Sequence, residues 1–243
     1  MTSDVDINNS ILPTAISVPN SSKIAEQGHA VIILASGLSR RLGQSKQLLS
    51  KNSEPLICYM TKLALTTKPH AIIVVIPQDQ SMIAHAINKL NLSNAIIQPV
   101  MNPIPETGMA HSLHLGITAL INLERSLIQR VLIMGIDQVL LDNNHLTALL
   151  TAKSPVVASS YHYLDEAFSS DENKANIIGL PIVINVERLK QWQPALIGDK
   201  GLRHLIRALP SNQLSTVINH QLSYDIDMPE QLFYARQQQW LDA

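Results

Sequence analysis

Four apolar, largely β-branched runs recur in the first 136 residues: "HAVIILA" at 29–35, "AIIVVIP" at 71–77, "NAIIQPV" at 94–100 and "RVLIMGI" at 130–136. A continuous run of this kind, without alternation, belongs to a strand buried on both faces. Between the runs lie stretches of helical spacing. One covers about 54–67, a second is "QSMIAHAINKL" with Ile83, Ile87 and Leu90, and a third is "GMAHSLHLGITALI" with Met109, Leu113, Gly116, Ile117 and Leu120 on one stripe. Parallel strands need a crossover long enough to hold a helix, so the alternation predicts an α/β fold, a parallel sheet with helices on both faces.

Beyond residue 140 the pattern loosens. A helix near 143–152 leads to a strand in "SPVVASS", and residues 161–176 read as a loop or insertion. "IIGLPIVIN" returns to extended structure, "DKGLRHLIRAL" is a short helix over 200–208, "LSTVIN" a last strand and "MPEQLFYARQQQW" a closing helix with Pro229 in its first turn. Residues 1–27 are rich in Ser and Asn with no sustained period, and predict a flexible tail before a single domain over 28–243.

Composition narrows the function. A formal net charge of −1 gives no bulk attraction to nucleic acid or to an anionic membrane, so an anionic ligand must be held by local cations and backbone N–H groups. No apolar run approaches the ~20 residues of a membrane span, and the first 22 residues lack Lys and Arg, which predicts a cytoplasmic protein without a secretory leader. The single cysteine, Cys58, sits on a helical face with Leu56, Tyr59, Met60, Leu63 and Ala64 and reads as an inert core thiol. The nine histidines include no HExxH pair, and His111 and His114, three apart, read as surface or capping residues.

The turn after the first strand, "ILASGLSRRLGQSKQLL", carries the chemistry. In an open parallel sheet, ligands bind beyond the carboxyl ends of the strands. Gly37 and Gly43 allow close backbone approach, while Arg41 and Lys46 supply local positive charge. A Walker A loop is excluded because Lys46 lies three residues past Gly43, and no G-x-G-x-x-G run occurs. Spacing alone leaves a phosphate cradle or a polar turn.

The loop resembles the signature L-A-A-G-x-S-x-R-M-G-x-x-K-x-L-L of nucleotidyltransferases with a GT-A-like, three-layer Rossmann-like fold. It is most similar to the molybdenum cofactor cytidylyltransferases and their MobA-like relatives. "TGMAHSLHLGI", "VLIMGIDQVLL", "GLPIVIN", "GDKGLRHLI" and "YDIDMPEQL" resemble further family segments in the same order, so the likeness runs from residue 31 to 232. The resemblance implies that Leu34, Ala35, Ser36 and Gly37 lie against base and ribose, with Arg41 and Lys46 on the phosphates. It implies Asp137 and Asp227 as ligands of Mg²⁺, or Mn²⁺, with Asp225 as a hydrogen-bonding partner. Ser112 would line the nucleobase pocket, or simply satisfy the first turn of its helix. Asp199 reads as a helix N-cap, and its place beside the acceptor rests on resemblance alone. Arg40 reads equally as a solvated neighbour of Arg41.

The resemblance therefore implies transfer of CMP from CTP to molybdopterin or its molybdenum-loaded form, with a molybdoenzyme or its chaperone as a further partner. Alternatives are GTP with the same acceptor, CTP with a sugar or polyol phosphate, and a non-catalytic cofactor chaperone. Departures from the pattern fall at Ser36 for Ala (or for the Gly of the guanylyl branch), Leu42 for Met, Val139 for Pro and Met228 for a capping Thr. Val139 predicts a looser turn after Asp137, and Met228 a cap weakened by about 1 kcal/mol. No Gly follows "LLSKNSE", so that turn must use Asn52.

Overall fold

The computed structural model describes residues 28–123, 126–162, 176–198 and 201–243. The predicted tail, Asp199 and nearly all of the 161–176 segment lie outside the described residues. In chain order the elements are β1 (Gly28–Leu34), the hairpin β2 (Ser50–Lys51) and β3 (Glu54–Pro55), α1 (Leu56–Thr66), β4 (Ala71–Pro77), α2 (Ser81–Asn91) and β5 (Ile97–Asn102). Then follow α3 (Met109–Ile121), β6 (Ile128–Gly135), α4 (Asn143–Thr151), β7 (Val156–Tyr161) and β8 (Ile177–Asn185). The chain closes with α5 (Val186–Trp192), α6 (Arg203–Arg207), β9 (Leu214–Ile218) and α7 (Pro229–Gln237).

Seven strands form one sheet in the order β5-β4-β1-β6-β8-β7-β9. Successive side chains of a strand point to opposite faces, and the core divides accordingly. Val31 and Ile33 face α1, α2, α4 and α7 through Met60, Ile87, Leu149 and Leu232. Ala30 and Ile32 face α3, α5 and α6 through Leu113, Leu189 and Ile206. Each fully buried Ile or Leu contributes about 1.5–3 kcal/mol relative to exposure. The expected three-layer, mostly parallel α/β architecture is what the chain adopts.

One strand runs against the rest. β8 is antiparallel to both β6 and β7, pairing Val183 with Leu132 and with Val157. The parallel pairs are β1 with β4, β4 with β5, β1 with β6, and β7 with β9. Ser159 Oγ, fully buried at an irregularity of β7, donates to the Pro181 carbonyl at 2.7 Å and takes the His145 Nε2–H at 2.8 Å.

The turn without glycine is a two-residue hairpin in which Asn52 (φ 53) and Ser53 (φ 63) are both left-handed. The C-terminal Asp242 carboxylate accepts from Ser53 N at 2.7 Å, Asn52 N at 3.2 Å and Ser50 Oγ at 2.6 Å, and fixes it. Those bonds hold the Asp242 carboxyl below the usual carboxylate range. Cys58 is buried between α1 and the Ala86 carbonyl, and burial pushes its thiol up, as an inert core thiol requires. Met109, expected on the buried stripe of α3, is half exposed, because it sits in the first turn above the cleft; Ala110 takes the buried place. Among the described residues no helix is long and apolar enough to cross a membrane.

Candidate active site

The chain leaves β1 toward β4 on one side, whereas β6 lies on the other, so a crevice opens at the carboxyl ends of β1 and β6. A cleft of about 320 Å³ lies there, lined by all the nucleotide-binding candidates, Leu34 to Gly37, Arg41, Lys46 and Ser112, and by Asp137 and Asp227.

The loop after β1 is closed by its own backbone. Leu42 N and Gly43 N both donate to the Ser39 carbonyl at 3.1 Å, and Lys46 N donates to Ser39 Oγ at 3.2 Å. Leu42 is buried, so its apolar side chain anchors the loop as the expected Met would. Gln47, which the sequence did not single out, is the staple. Its amide is 1% exposed, and Nε2 donates to Ala35 O at 2.7 Å and Gly37 O at 2.8 Å. No spacing rule marks a glutamine in "SKQLL"; its role exists only once the loop has folded.

Four predicted charged residues meet. Arg41 donates to Asp227 Oδ2 at 2.5 Å, Lys46 bonds Asp227 Oδ1, and Lys46 Nζ lies 3.6 Å from Asp137 Oδ2. The chain joins the two aspartates, 90 residues apart, through Ile226 N, which donates to the Asp137 carbonyl at 3.2 Å, and a bridge between Gln138 and Asp225. Burial alone would raise the Asp227 carboxyl, but Lys46 and Arg41 outweigh it and hold the group below its ordinary value. Asp225 is pushed up, first by burial and then by Asp137 and Asp227, and it accepts from Gln231 Nε2 at 3.5 Å. Arg40 is exposed at the mouth, without an ion pair among the described residues.

Val139 corrects an expectation. Its N–H donates to the Asp137 carbonyl at 3.1 Å, so the turn is closed by an amide that proline lacks. The cap at Met228 is likewise supplied from elsewhere: Gln231 Oε1 accepts from Met228 N at 2.8 Å and Asp227 N at 2.7 Å. The second contact also orients the Asp227 backbone.

The hydroxyls at 36 and 112 turn inward. Ser36 Oγ donates to Ser112 Oγ at 2.6 Å, Ser112 donates to the Gly108 carbonyl at 3.2 Å, and Asn102 Nδ2 donates to both hydroxyls at 3.2 Å. Asn102, fully buried and missed by the sequence reading, also accepts from Ile104 N at 3.0 Å. Ser112 thus satisfies its own first helical turn, and Ser36 ties β1 to α3. Both hydroxyl protons are therefore spent inside the protein. His114 is exposed; among the described residues the buried His111 Nε2 has no hydrogen-bond partner and no cluster of three or more His, Cys, Asp or Glu side chains forms a metal cage.

A second, larger cavity of about 650 Å³ adjoins the cleft and shares Leu34, Met109, Leu180, Asp137 and Asp227 with it. The short α6, predicted over 200–208 and observed at Arg203–Arg207, forms its outer side.

The sequence profile of the MobA-like NTP transferase domain matches residues 31–216. No curated protein sequence matches the chain. Among solved structures, a nucleotidyl transferase from Methanothermobacter superposes with a TM-score of 0.66 at 18% identity, over 87% of this chain and 97% of that one. Rv0371c from Mycobacterium tuberculosis H37Rv gives 0.65 at 17% identity, over 86% and 98%. A 4-diphosphocytidyl-2C-methyl-D-erythritol synthase from Anaerococcus prevotii gives 0.65 at 15% identity, over 88% and 96%. At these identities the likeness is one of fold.

Proposed function

The chain belongs to the family of MobA-like NTP transferase domains, and on that premise we propose that it transfers CMP from CTP to the terminal phosphate of molybdopterin or its molybdenum-loaded form. The observation that supports this most is the meeting of Arg41 and Lys46, from the loop after β1, with Asp137 and Asp227 at the switch point of the sheet. The acceptor phosphate oxygen forms a bond to the α-phosphorus, the bond to the β-phosphate oxygen breaks, and pyrophosphate leaves. The attacking phosphate is already anionic, so no side chain needs to remove a proton from it.

Arg41 and Lys46 take up the triphosphate and stabilise the charge that grows on its oxygens in the transition state. To do so they exchange Asp227 for phosphate, which frees that carboxylate. Asp137 and Asp227 both approach one ammonium, Lys46 Nζ, so their hard oxygens converge on one point, as a divalent cation demands. Those two residues would hold Mg²⁺ or Mn²⁺. When bound, the ion neutralises triphosphate charge and aligns attacking and leaving oxygens. The Ser36–Asn102–Ser112 network fixes the wall against which the base lies. CTP is favoured over GTP because Ser36 stands where the guanylyl branch carries glycine, and fills part of that space.

A second reading keeps CTP and replaces the acceptor with a polyol phosphate, in line with the product named for the Anaerococcus prevotii structure. The closed turn that carries Asp137 favours catalysis over a non-catalytic chaperone. Pyrophosphate release with CTP, GTP and ATP, each against molybdopterin and methylerythritol phosphate, separates these readings. Turnover is expected with CTP and molybdopterin, and a preference for GTP or for the polyol phosphate would overturn the proposal. Asp137→Asn is expected to abolish Mg²⁺-dependent turnover with the fold intact.

A further inference from the structure

A third cavity, of about 360 Å³, shares Asp225 with the larger one and no residue with the nucleotide cleft. Only nine of the 243 residues are aromatic, yet three of them, Tyr224, Tyr234 and Trp240, line this space. Two carboxyl side chains join them, Asp225 and Glu230, and no Lys or Arg does among the described residues. Glu230 is exposed in the first turn of α7 and makes no ion pair among the described residues. The planes of Tyr224 and Tyr234 lie 24° apart with their centres at 6.4 Å. Trp240 stands across both, at 82° to Tyr234 and 59° to Tyr224. The rings make three sides of a box.

Ring faces carry the negative end of the aromatic quadrupole, so such walls beside carboxylates attract a cation and repel an anion. CTP, pyrophosphate and a phosphate acceptor are all anions, and none of them suits this space. Among the described residues, no cation of the chain fills it. Lys51 donates to the Trp240 carbonyl at 2.8 Å and lies over the Tyr59 ring, and Arg236 donates to the Asp242 carbonyl at 3.2 Å; neither lines the cavity. The start of α7, whose dipole would oppose a cation, is blunted. Pro229 has no N–H, and Gln231 Oε1 takes the N–H groups of Asp227 and Met228.

The spacing of the walls chooses the shape of the cation. A flat group held between two ring faces needs a gap of about 7 Å, some 3.5 Å on each side. The two tyrosines stand slightly closer than that, and Tyr234, 42% exposed, has only the difference to yield. A tetrahedral quaternary ammonium is thicker and would have to force the rings apart. We propose that this cavity is a binding site for a guanidinium group, free or on an arginine side chain. Tyr224 and Tyr234 take its two faces, Trp240 closes the end, and Glu230 accepts from its N–H edge. A guanidinium stacks on aromatic faces and forks onto a carboxylate at once, which an ammonium cannot do.

The test is calorimetric titration of the full chain with agmatine and with an end-blocked glycine–arginine–glycine peptide. The same peptide with citrulline or trimethyllysine in the middle serves as comparison, since citrulline keeps the flat shape without the charge. Titrations are repeated on Tyr234→Leu, Tyr234→Phe and Glu230→Gln; both positions are exposed, so the variants should fold, which their urea midpoints check. The guanidinium probe is expected to bind the unaltered chain and to weaken about fivefold or more in Tyr234→Leu, with affinity kept in Tyr234→Phe. Glu230→Gln is expected to weaken it and to flatten its salt dependence. The citrulline peptide should bind at least about tenfold more weakly than the arginine peptide. Binding of agmatine alone marks a free small molecule as the ligand, and binding of the peptide marks an arginine on another protein; either supports the site. No binding of both, equal binding of the citrulline peptide, tighter binding of the trimethyllysine peptide, or equal affinity in Tyr234→Leu overturns the proposal. The probes carry no nucleotide, so the result stands apart from that of the pyrophosphate assay.

Discussion

A methyl group at position 135 would stand 2.8 Å from Asp137 Oδ1, closer than real contacts allow. Gly135 ends β6, and its missing side chain is the space into which the Asp137 carboxylate folds back beside Lys46. Gly135→Ala is expected to displace that carboxylate while leaving the sheet intact. Turnover should fall about a hundredfold with the unfolding midpoint little changed, a pairing read by steady-state kinetics beside chemical denaturation. At this scale the sequence was partly legible. Arg41, Lys46, Asp137 and Asp227 could be found because the resemblance carries charged positions at fixed distances along the chain. Gln47 and Asn102 could not, because each acts through buried amide bonds to backbone or hydroxyl groups that only the folded chain brings near. Ser36 was legible as a departure, but its direction was not: its hydroxyl donates to Ser112.

The helix α3 runs from the cleft into the core, and at Gly116 it packs tightly against the sheet. A Cβ there would lie 2.8 Å from Ile32 Cγ2 and 3.2 Å from Val75 Cγ2, both fully buried side chains. Gly116→Ala must therefore push α3 outward and shift Met109 and Ser112 at its other end. A stability loss of about 1–3 kcal/mol is expected in equilibrium denaturation, with weakened CTP binding. The elements buried on two faces were the ones the sequence announced: β4 and β8 were read to the residue, and β1 and β6 within two. Strand direction was not readable in β8, because an apolar run looks the same whichever way it runs. The helix α5 was missed because it follows β8 without a loop and begins at the β-branched Val186. The hairpin of two-residue strands was shorter than any period can reveal, though its turn at Asn52 was foreseen from the missing glycine.

Across the whole molecule, two histidines lowered by burial contribute to how stability varies with pH. Burial, and then the neighbouring His70 and Arg130, push His29 down to about 4, and it stays neutral to donate to Thr67 Oγ1 at 2.9 Å. Burial also lowers His145, partly offset by Asp142. In the unfolded chain both return to the ordinary value of 6.5. Between that value and about 4 the unfolded state binds protons that the folded state refuses. Stability is then full above pH 6.5 and declines as pH falls toward 4. Urea midpoints are expected to drop over that range, and His29→Gln should flatten the slope; an unchanged slope would place the effect elsewhere.

Loop, acidic edge and second cavity lie together at the carboxyl ends of β1 and β6, and the chemistry proposed there is attack at the α-phosphorus of a nucleotide. That claim is tested most directly by following two labels, one on the α-phosphate and one on the γ-phosphate of CTP, in the presence of Mg²⁺ and molybdopterin. The account expects the α label in the acceptor product and the γ label in pyrophosphate, with both transfers lost in Asp137→Asn. A γ label on the acceptor, or no transfer by a chain that has bound CTP and acceptor, would contradict it.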